Sequence, residues 1–242
     1  VTENPWPVVE LRQYTLHPGT RDVLIELFDR ELVETQEAVG MRIIAQFRDE
    51  NDPDRFVWLR AFHDMPSRGT ALKAFYIDGA AWREHAPAVR ATMVDTTNAL
   101  LLQPATATSN FTLPTERPGA AATELPSSRV LATVYYPEGP LTEFTQFFET
   151  RLQPLLVETG ATPIAYFQTD PTPNTFAALP VREETVFVWL ALFEDSTALQ
   201  AHFDALSHDR TWTEEVQPEL SKLQSRQEDQ LRLAPTARSL LR

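Results

Sequence analysis

Short runs rich in β-branched and aromatic residues alternate along the chain with longer stretches whose apolar positions follow the helical period. "VVELRQYTL" near the start reads as a strand that ends at the turn "HPGT". Thr20 can then cap a helix whose apolar residues Val23, Leu24, Leu27, Phe28 and Leu32 fall on one face, with Gly40 as its stop. "MRIIAQF" and "FVWLRAF" read as two more strands, joined by the Asn-, Asp- and Pro-bearing hairpin loop "RDENDPDR". A broken helix is expected over about residues 67–94, and "ALLLQ" closes the unit. This order, strand-helix-strand-strand-helix-strand, is the ferredoxin-like arrangement, an α+β fold.

The pattern then starts again. "FVWLRAF" (residues 56–62) returns as "FVWLALF" (residues 187–193), and "EAVGMRIIAQF" as "VETGATPIAYF" with glycine on glycine. "ALKAF" returns as "ALQAHF", followed in each copy by a tryptophan (Trp82, Trp212), and "LLLQPA" returns as "LRLAPT". The chain is therefore read as two copies of one unit, over residues 1–105 and 128–236. A Pro-, Ser- and Thr-rich connector lies at 106–127 and a short tail at 237–242. The connector is expected to tolerate lengthening at little cost in stability, because loop-closure entropy grows slowly with length. Two tandem units can bury the open faces of their sheets against each other within one chain.

"ELRQYTLHPGT", "FVWLRAF", "WREH" and "LLLQP" together resemble the NIPSNAP family, within the dimeric α+β barrel superfamily. The resemblance is strong over residues 8–105 and weaker, though in register, over 128–236. It implies a barrel of two ferredoxin-like units with a cavity between the sheets. Relatives of this kind include cofactor-free monooxygenases, muconolactone isomerase-like enzymes and haem-dependent members, and they share no single catalytic motif. No residue role carries over from them.

Composition narrows the chemistry. The chain has 242 residues, 43% hydrophobic and 23% charged, with a formal net charge of −13. That balance argues against nucleic acid or an anionic membrane as partner. There is no cysteine, so thiolate metal sites, disulfides and cysteine nucleophiles are excluded. No apolar run reaches the length of a membrane helix. "VTENPWPVVELRQY" does not read as a secretion signal, so a cytoplasmic location is the default expectation. His17, His202 and His208 are expected at the surface. No phosphate-binding, dinucleotide-binding or zinc spacing appears, and no organic cofactor or metal is expected.

The candidate site comes from comparing the copies. Alternation along "FVWLRAF" places Val57, Leu59 and Ala61 on one face, expected under the helices, and Phe56, Trp58, Arg60 and Phe62 on the other, assigned to the barrel interior. Glu10, Arg12 and Tyr14, and Arg42, Ile44, Gln46 and Arg48, are assigned to that same interior face. Arg60 aligns with Ala191; Glu10, Arg12 and Tyr14 are aligned with Val130, Ala132 and Val134; Gln46 aligns with Tyr166. The first copy thus keeps charge where the second is small or apolar. This suggests one polar wall facing an apolar seat that includes Trp189 and Tyr166, as in pockets for small organic molecules. Arg60 and Arg12 would stabilise an enolate or carboxylate, Tyr14 or His85 would move a proton, and Phe56, Trp58, Phe62, Gln46 and Trp82 would hold the substrate. Arg60 is read either as a ligand contact or as one half of a buried pair with Glu10. His85 is read as an acid–base group, a structural histidine or, in the haem alternative, an iron ligand.

The expected function is isomerisation, cyclisation or elimination on an apolar, oxygenated small molecule. The alternatives are cofactor-independent oxygenation of a phenol, or a non-catalytic module that binds haem or a hydrophobic ligand. A homodimer through outer surfaces is left open by the sequence.

Overall fold

In the computed structural model, which describes residues 6–242, each copy is built in the predicted order. The first contains β1 (Val8–Leu16), α1 (Arg21–Leu27), a π-helical turn (Phe28–Leu32), α2 (Val33–Glu37), β2 (Arg42–Asp49) and β3 (Arg55–Phe62). It continues with α3 (Met65–Tyr76), α4 (Ala80–Arg90), the short β4 (Met93–Asp95) and β5 (Ala99–Pro104). The second contains β6 (Arg129–Tyr135), α5 (Leu141–Phe147), a π-helical turn (Phe148–Leu152), α6 (Gln153–Glu158), β7 (Pro163–Thr169) and β8 (Phe187–Phe193). It ends with α7 (Ser196–His208), a third π-helical turn (Trp212–Val216), α8 (Gln217–Lys222) and β9 (Asp229–Pro235). Gly40 and Gly160 stop equivalent helices with positive φ of 96° and 93°, a conformation that a side chain disfavours. Asp64 starts α3 through a reciprocal capping box with Ser67.

Eight strands close into one antiparallel barrel in the order β1-β3-β2-β9-β6-β8-β7-β5, with β4 added beside β1. Two seams join the copies: Phe47–Asp49 of β2 pair with β9, and Leu102–Pro104 of β5 pair with β7. The single-chain barrel expected from the repeat is present. Among the described residues no helix is long and apolar enough to cross a membrane.

The barrel interior corrects the assignment of faces. Val57, Leu59 and Ala61 point inward with Val9, Leu11, Ala45, Phe47, Leu100 and Leu102, against Val130, Ala132, Val134, Phe167, Val188 and Leu190. Phe56, Trp58 and Phe62 lie on the opposite face, beneath the helices, with Leu24, Phe28, Leu32, Leu72 and Phe75. An eight-stranded barrel is just wide enough for side chains to fill, and here aliphatic residues together with Phe47, Phe111 and Phe167 fill it. Indole and guanidinium groups find room in the thicker layer between sheet and helix. The space between the sheets is therefore core, and the expected cavity lies elsewhere.

The connector is corrected as well. Phe111 joins the barrel core and meets Phe167 at 5.0 Å between ring centroids. Arg117 donates to the carbonyls of Ile43 and Arg238 and to Glu37. The segment after β9 docks in the same region. Arg238 pairs with Glu34 and donates to the carbonyls of Asp29 and Pro118. A segment that carries buried side chains and satisfies backbone carbonyls is structure, not slack, so lengthening it costs packing as well as loop entropy.

Asp29 sits at this junction. Burial pushes its carboxyl up to about 6, against the lowering fields of Arg238, Arg117 and Arg48. A raised value means that the fold favours the neutral acid. The stabilisation is complete below the unfolded value near 4 and is lost as pH rises through about 6. Asp29→Asn is neutral at every pH and is expected to stabilise the protein by about 2 kcal/mol at pH 7.5, with the gain shrinking toward pH 4. Urea unfolding of both proteins at the two pH values checks this, and an equal difference at both would refute it.

Candidate functional site

Beneath the helices of the first copy lies a cavity of about 300 Å³. Tyr14 and Trp58 form its floor on the sheet, and Phe28, Leu32 and Gln36 come from the α1–α2 segment. Phe75, Tyr76, Trp82 and Val89 come from α3 and α4, and Met93 and Thr96 close one end. Phe176, Ala178 and Leu179 reach in from the loop between β7 and β8 of the second copy. Leu32 lies four residues from Phe28, within a π-helical turn that both copies share at this position, and π-turns of this kind frequently mark functional sites.

Behind the floor is a fully buried charge cluster. Glu10 receives Arg68 Nε on Oε1 at 2.7 Å; Arg60 Nε and Arg12 Nη1 meet Oε2 at 2.8 and 2.9 Å. All four side chains are at 0% exposure. Three guanidiniums face one carboxylate, so the cluster carries two positive charges in excess (3 − 1 = 2). Burial alone would raise the Glu10 carboxyl, but the fields of Arg60, Arg12 and Arg68 prevail and hold it far below the usual carboxylate range.

The surplus charge is turned toward the cavity through two phenols. Arg12 Nε donates to the Tyr14 hydroxyl oxygen at 3.0 Å, and Arg60 Nη1 donates to the Tyr76 hydroxyl oxygen at 3.1 Å and to Gln36 Oε1 at 3.3 Å. Each tyrosine oxygen accepts from a cation, which leaves its own proton to donate. Burial raises the Tyr76 hydroxyl, against the lowering effect of Arg60, so it stays protonated at neutral pH. Trp58 Nε1 is buried with no partner among the described residues. Its counterpart Trp189 donates to the Tyr135 hydroxyl at 3.3 Å. In the first copy Arg12 binds the tyrosine instead, and the buried indole N–H has no partner among the described residues.

The sheet register shows which residues correspond between the copies. Glu10, Arg12 and Tyr14 pair with Arg60, Trp58 and Phe56, while Leu131, Thr133 and Tyr135 pair with Ala191, Trp189 and Phe187. The counterparts of Glu10, Arg12 and Tyr14 are therefore Leu131, Thr133 and Tyr135. Val130, Ala132 and Val134 line the barrel instead. The expected alignment was one residue out of register, which moves every side chain to the opposite face. A bulge at Ile44 likewise places Ile44 in the barrel and leaves Gln46 on the helix side.

Of the predicted site residues, Tyr14, Trp58 and Trp82 line the cavity, and Arg12 and Arg60 stand directly behind it. Phe56 packs on Phe28, and Phe62 lies under the guanidiniums of Arg60 and Arg68; neither lines the cavity. Gln46 is buried with its amide unpaired among the described residues, and its backbone carbonyl accepts from Thr236 N in the docked tail. Trp189 and Tyr166 belong to the helix–sheet layer of the second copy, where Phe144, Phe148 and Phe187 fill the space. They form no wall opposite Arg60. His85 does not line the cavity; it is partly buried, with Nε2 3.6 Å from Glu31 on the neighbouring π-helical turn. His202, expected at the surface, is buried with Nδ1 2.9 Å from Thr159 Oγ1.

Sequence reasoning passed over Gln36, Arg68, Tyr76 and the cross-unit residues Phe176 and Leu179. Arg68, Leu72 and Tyr76 recur at steps of four on α3, a face with an arginine and a tyrosine among apolar residues, and that signal could have been read.

Comparison with known proteins bears on this half of the chain first. Residues 9–108 match the NIPSNAP family model. This match spans the first unit. Solved structures resemble the whole chain. A putative monooxygenase from Fusobacterium nucleatum is 9% identical, with a TM-score of 0.59 over 96% of this chain and 93% of its own. An anthrone oxidase-like protein is 11% identical, with a TM-score of 0.59 over 98% and 94%. A putative monooxygenase from Lactobacillus acidophilus is 12% identical, with a TM-score of 0.54 over 95% and 94%. At these identities the likeness is one of fold: a mixed α+β chain with a closed barrel. No curated protein matches the sequence significantly. The unit that matches the family model holds the charge cluster and most of the cavity lining.

Proposed function

We propose that the first unit binds an apolar, enolisable small molecule and catalyses proton transfer on it, as in an isomerisation, cyclisation or elimination, without an organic cofactor. The observation that carries this reading is the pair of cavity tyrosines, Tyr14 and Tyr76, each with its oxygen held by a buried arginine. A substrate oxygen seated between them receives hydrogen bonds from polarised phenols inside a charged, desolvated site. Negative charge that develops there as an enolate is stabilised without reorganisation of the protein. The apolar walls hold the carbon skeleton. Tyr14 passes its proton to the developing enolate oxygen while a water molecule in the cavity takes up the α-proton, and that proton returns to Tyr14 through solvent. His85, paired with Glu31 away from the cavity, takes no part.

The reading is tested with 2-tetralone, a fused-ring ketone with exchangeable α-protons. In D2O the protein is expected to accelerate loss of the α-proton NMR signals above the buffer rate, with no oxygen consumed. Oxygen uptake during turnover would assign the chain to cofactor-independent oxygenation. Saturable binding without exchange would make it a binding module, and neither binding nor exchange would remove the proposal.

A further inference from the structure

The loop that joins β7 to β8 is far longer than its counterpart in the first copy. The equivalent hairpin there spans residues 50–54, whereas the second copy uses residues 170–186. A stretch of this length without secondary structure is uncommon in a compact domain and is usually functional. It does not hang free but crosses back onto the first unit.

Three anchors hold it. At its start, Asp170 N donates to Leu101 O at 3.0 Å, and near its end Arg182 N donates to Ala99 O at 2.8 Å. Between them, Arg68 Nη1 donates to Asn174 Oδ1 at 2.9 Å and to Thr175 Oγ1 at 3.1 Å. The turn between the anchors is wired by Asn174, whose side chain accepts from Phe176 N at 3.0 Å and donates to Leu179 O at 2.9 Å. That wiring presents Phe176 and Leu179 to the cavity, with Phe176 6.2 Å from the Tyr76 ring. Arg68 is the same residue whose Nε is held by Glu10, so one carboxylate fixes both the cavity floor and the strap above it.

We propose that Phe176 and Leu179 are the specificity determinants of the cavity in the first unit: the second unit supplies the roof that limits how large a ring system can enter, and Arg68 latches that roof in place. This rests on the reading of the cavity as a site for apolar oxygenated molecules. It gives the second unit, whose own helix–sheet layer is filled, a direct part in the site. Both side chains are only partly buried, so their truncation removes roof and not core.

The test compares 1-naphthol with the larger 1-pyrenol, each followed by its own fluorescence. The wild-type protein is expected to favour naphthol. Phe176→Ala/Leu179→Ala is expected to gain about tenfold in pyrenol affinity, the scale at which apolar pockets discriminate by size, with naphthol affinity little changed. Should the double variant fail to fold, Leu179→Ala alone is expected to shift the same ratio by a smaller factor. An unchanged ratio in a folded variant overturns the roof and leaves the site reading standing. Failure of both phenols to bind any of the proteins overturns the site reading and the roof with it.

Discussion

Glu10→Gln is expected to lower the melting temperature by about 10 °C or more at pH 7. The variant keeps the shape of the side chain and removes the only carboxylate among the described residues that pairs with the guanidiniums of Arg12, Arg60 and Arg68. Loss of one partner from a buried ion pair costs about 3–5 kcal/mol, because the remaining charge stays desolvated. Here three charges remain. The pH dependence gives a second check. Because the Glu10 carboxyl is held below its unfolded value, its contribution is present above pH ~4.3 and fades only as pH falls into strong acid. Wild type and variant should therefore differ most at neutral pH and converge as acid is added. Parallel stability curves down to pH 2 would show that Glu10 is not the keystone of the cluster.

Tyr14→Phe should cost catalysis far more than it costs folding. If Tyr14 supplies a hydrogen bond to charge that appears only in the transition state, its loss should reduce the exchange rate about 10²- to 10³-fold. The structural cost is one acceptor for Arg12 Nε, worth about 1–3 kcal/mol. Arg12 keeps Glu10 and the Thr96 carbonyl. Rates and melting temperatures measured on the same preparation separate the two effects. A variant that exchanges 2-tetralone at the wild-type rate removes Tyr14 from the mechanism. Arg60→Ala cannot make this separation, since Arg60 holds Glu10 and Tyr76 at once. Of the two readings of Arg60 offered by the sequence, the structure shows the buried pair with Glu10; Arg60 does not line the cavity and reaches it only through the Tyr76 hydroxyl.

The repeat was legible because both copies must satisfy the same barrel: "FVWLRAF" and "FVWLALF" place small or aliphatic residues inward and a tryptophan beneath the helices in each unit. Which face was inward was not legible from alternation alone. Period two separates faces without labelling them, and both faces of these strands are apolar and buried. The label comes from closure. Once eight strands form a ring, the interior admits Val57, Leu59 and Ala61 and has no space for Trp58 or Arg60. The register between β1 and β6 slipped for a related reason: "VELRQY" and "VLATVY" share a period, and one step of offset leaves that period intact while it exchanges every face. Arg12 and Arg60 could be singled out because a charge in mid-strand stands out against its neighbours, and Tyr14 because it shares their face. Phe176 and Leu179 were not, since nothing local tells a loop residue that its partner lies in another unit.

The seam between β2 and β9 imposes an order on biosynthesis. β2 is translated early, yet the strand that covers its open edge is β9, and Arg238 of the following segment pairs with Glu34 on the helix before β2. Until residues 229–238 have left the ribosome, the nascent first unit exposes an unpaired strand edge and the apolar face of its sheet. Such surfaces recruit other chains. The interval between synthesis of β2 and of β9 is thus a period in which a nascent chain is vulnerable to pairing with its neighbours on a polysome, and slow decoding of the second unit would prolong it.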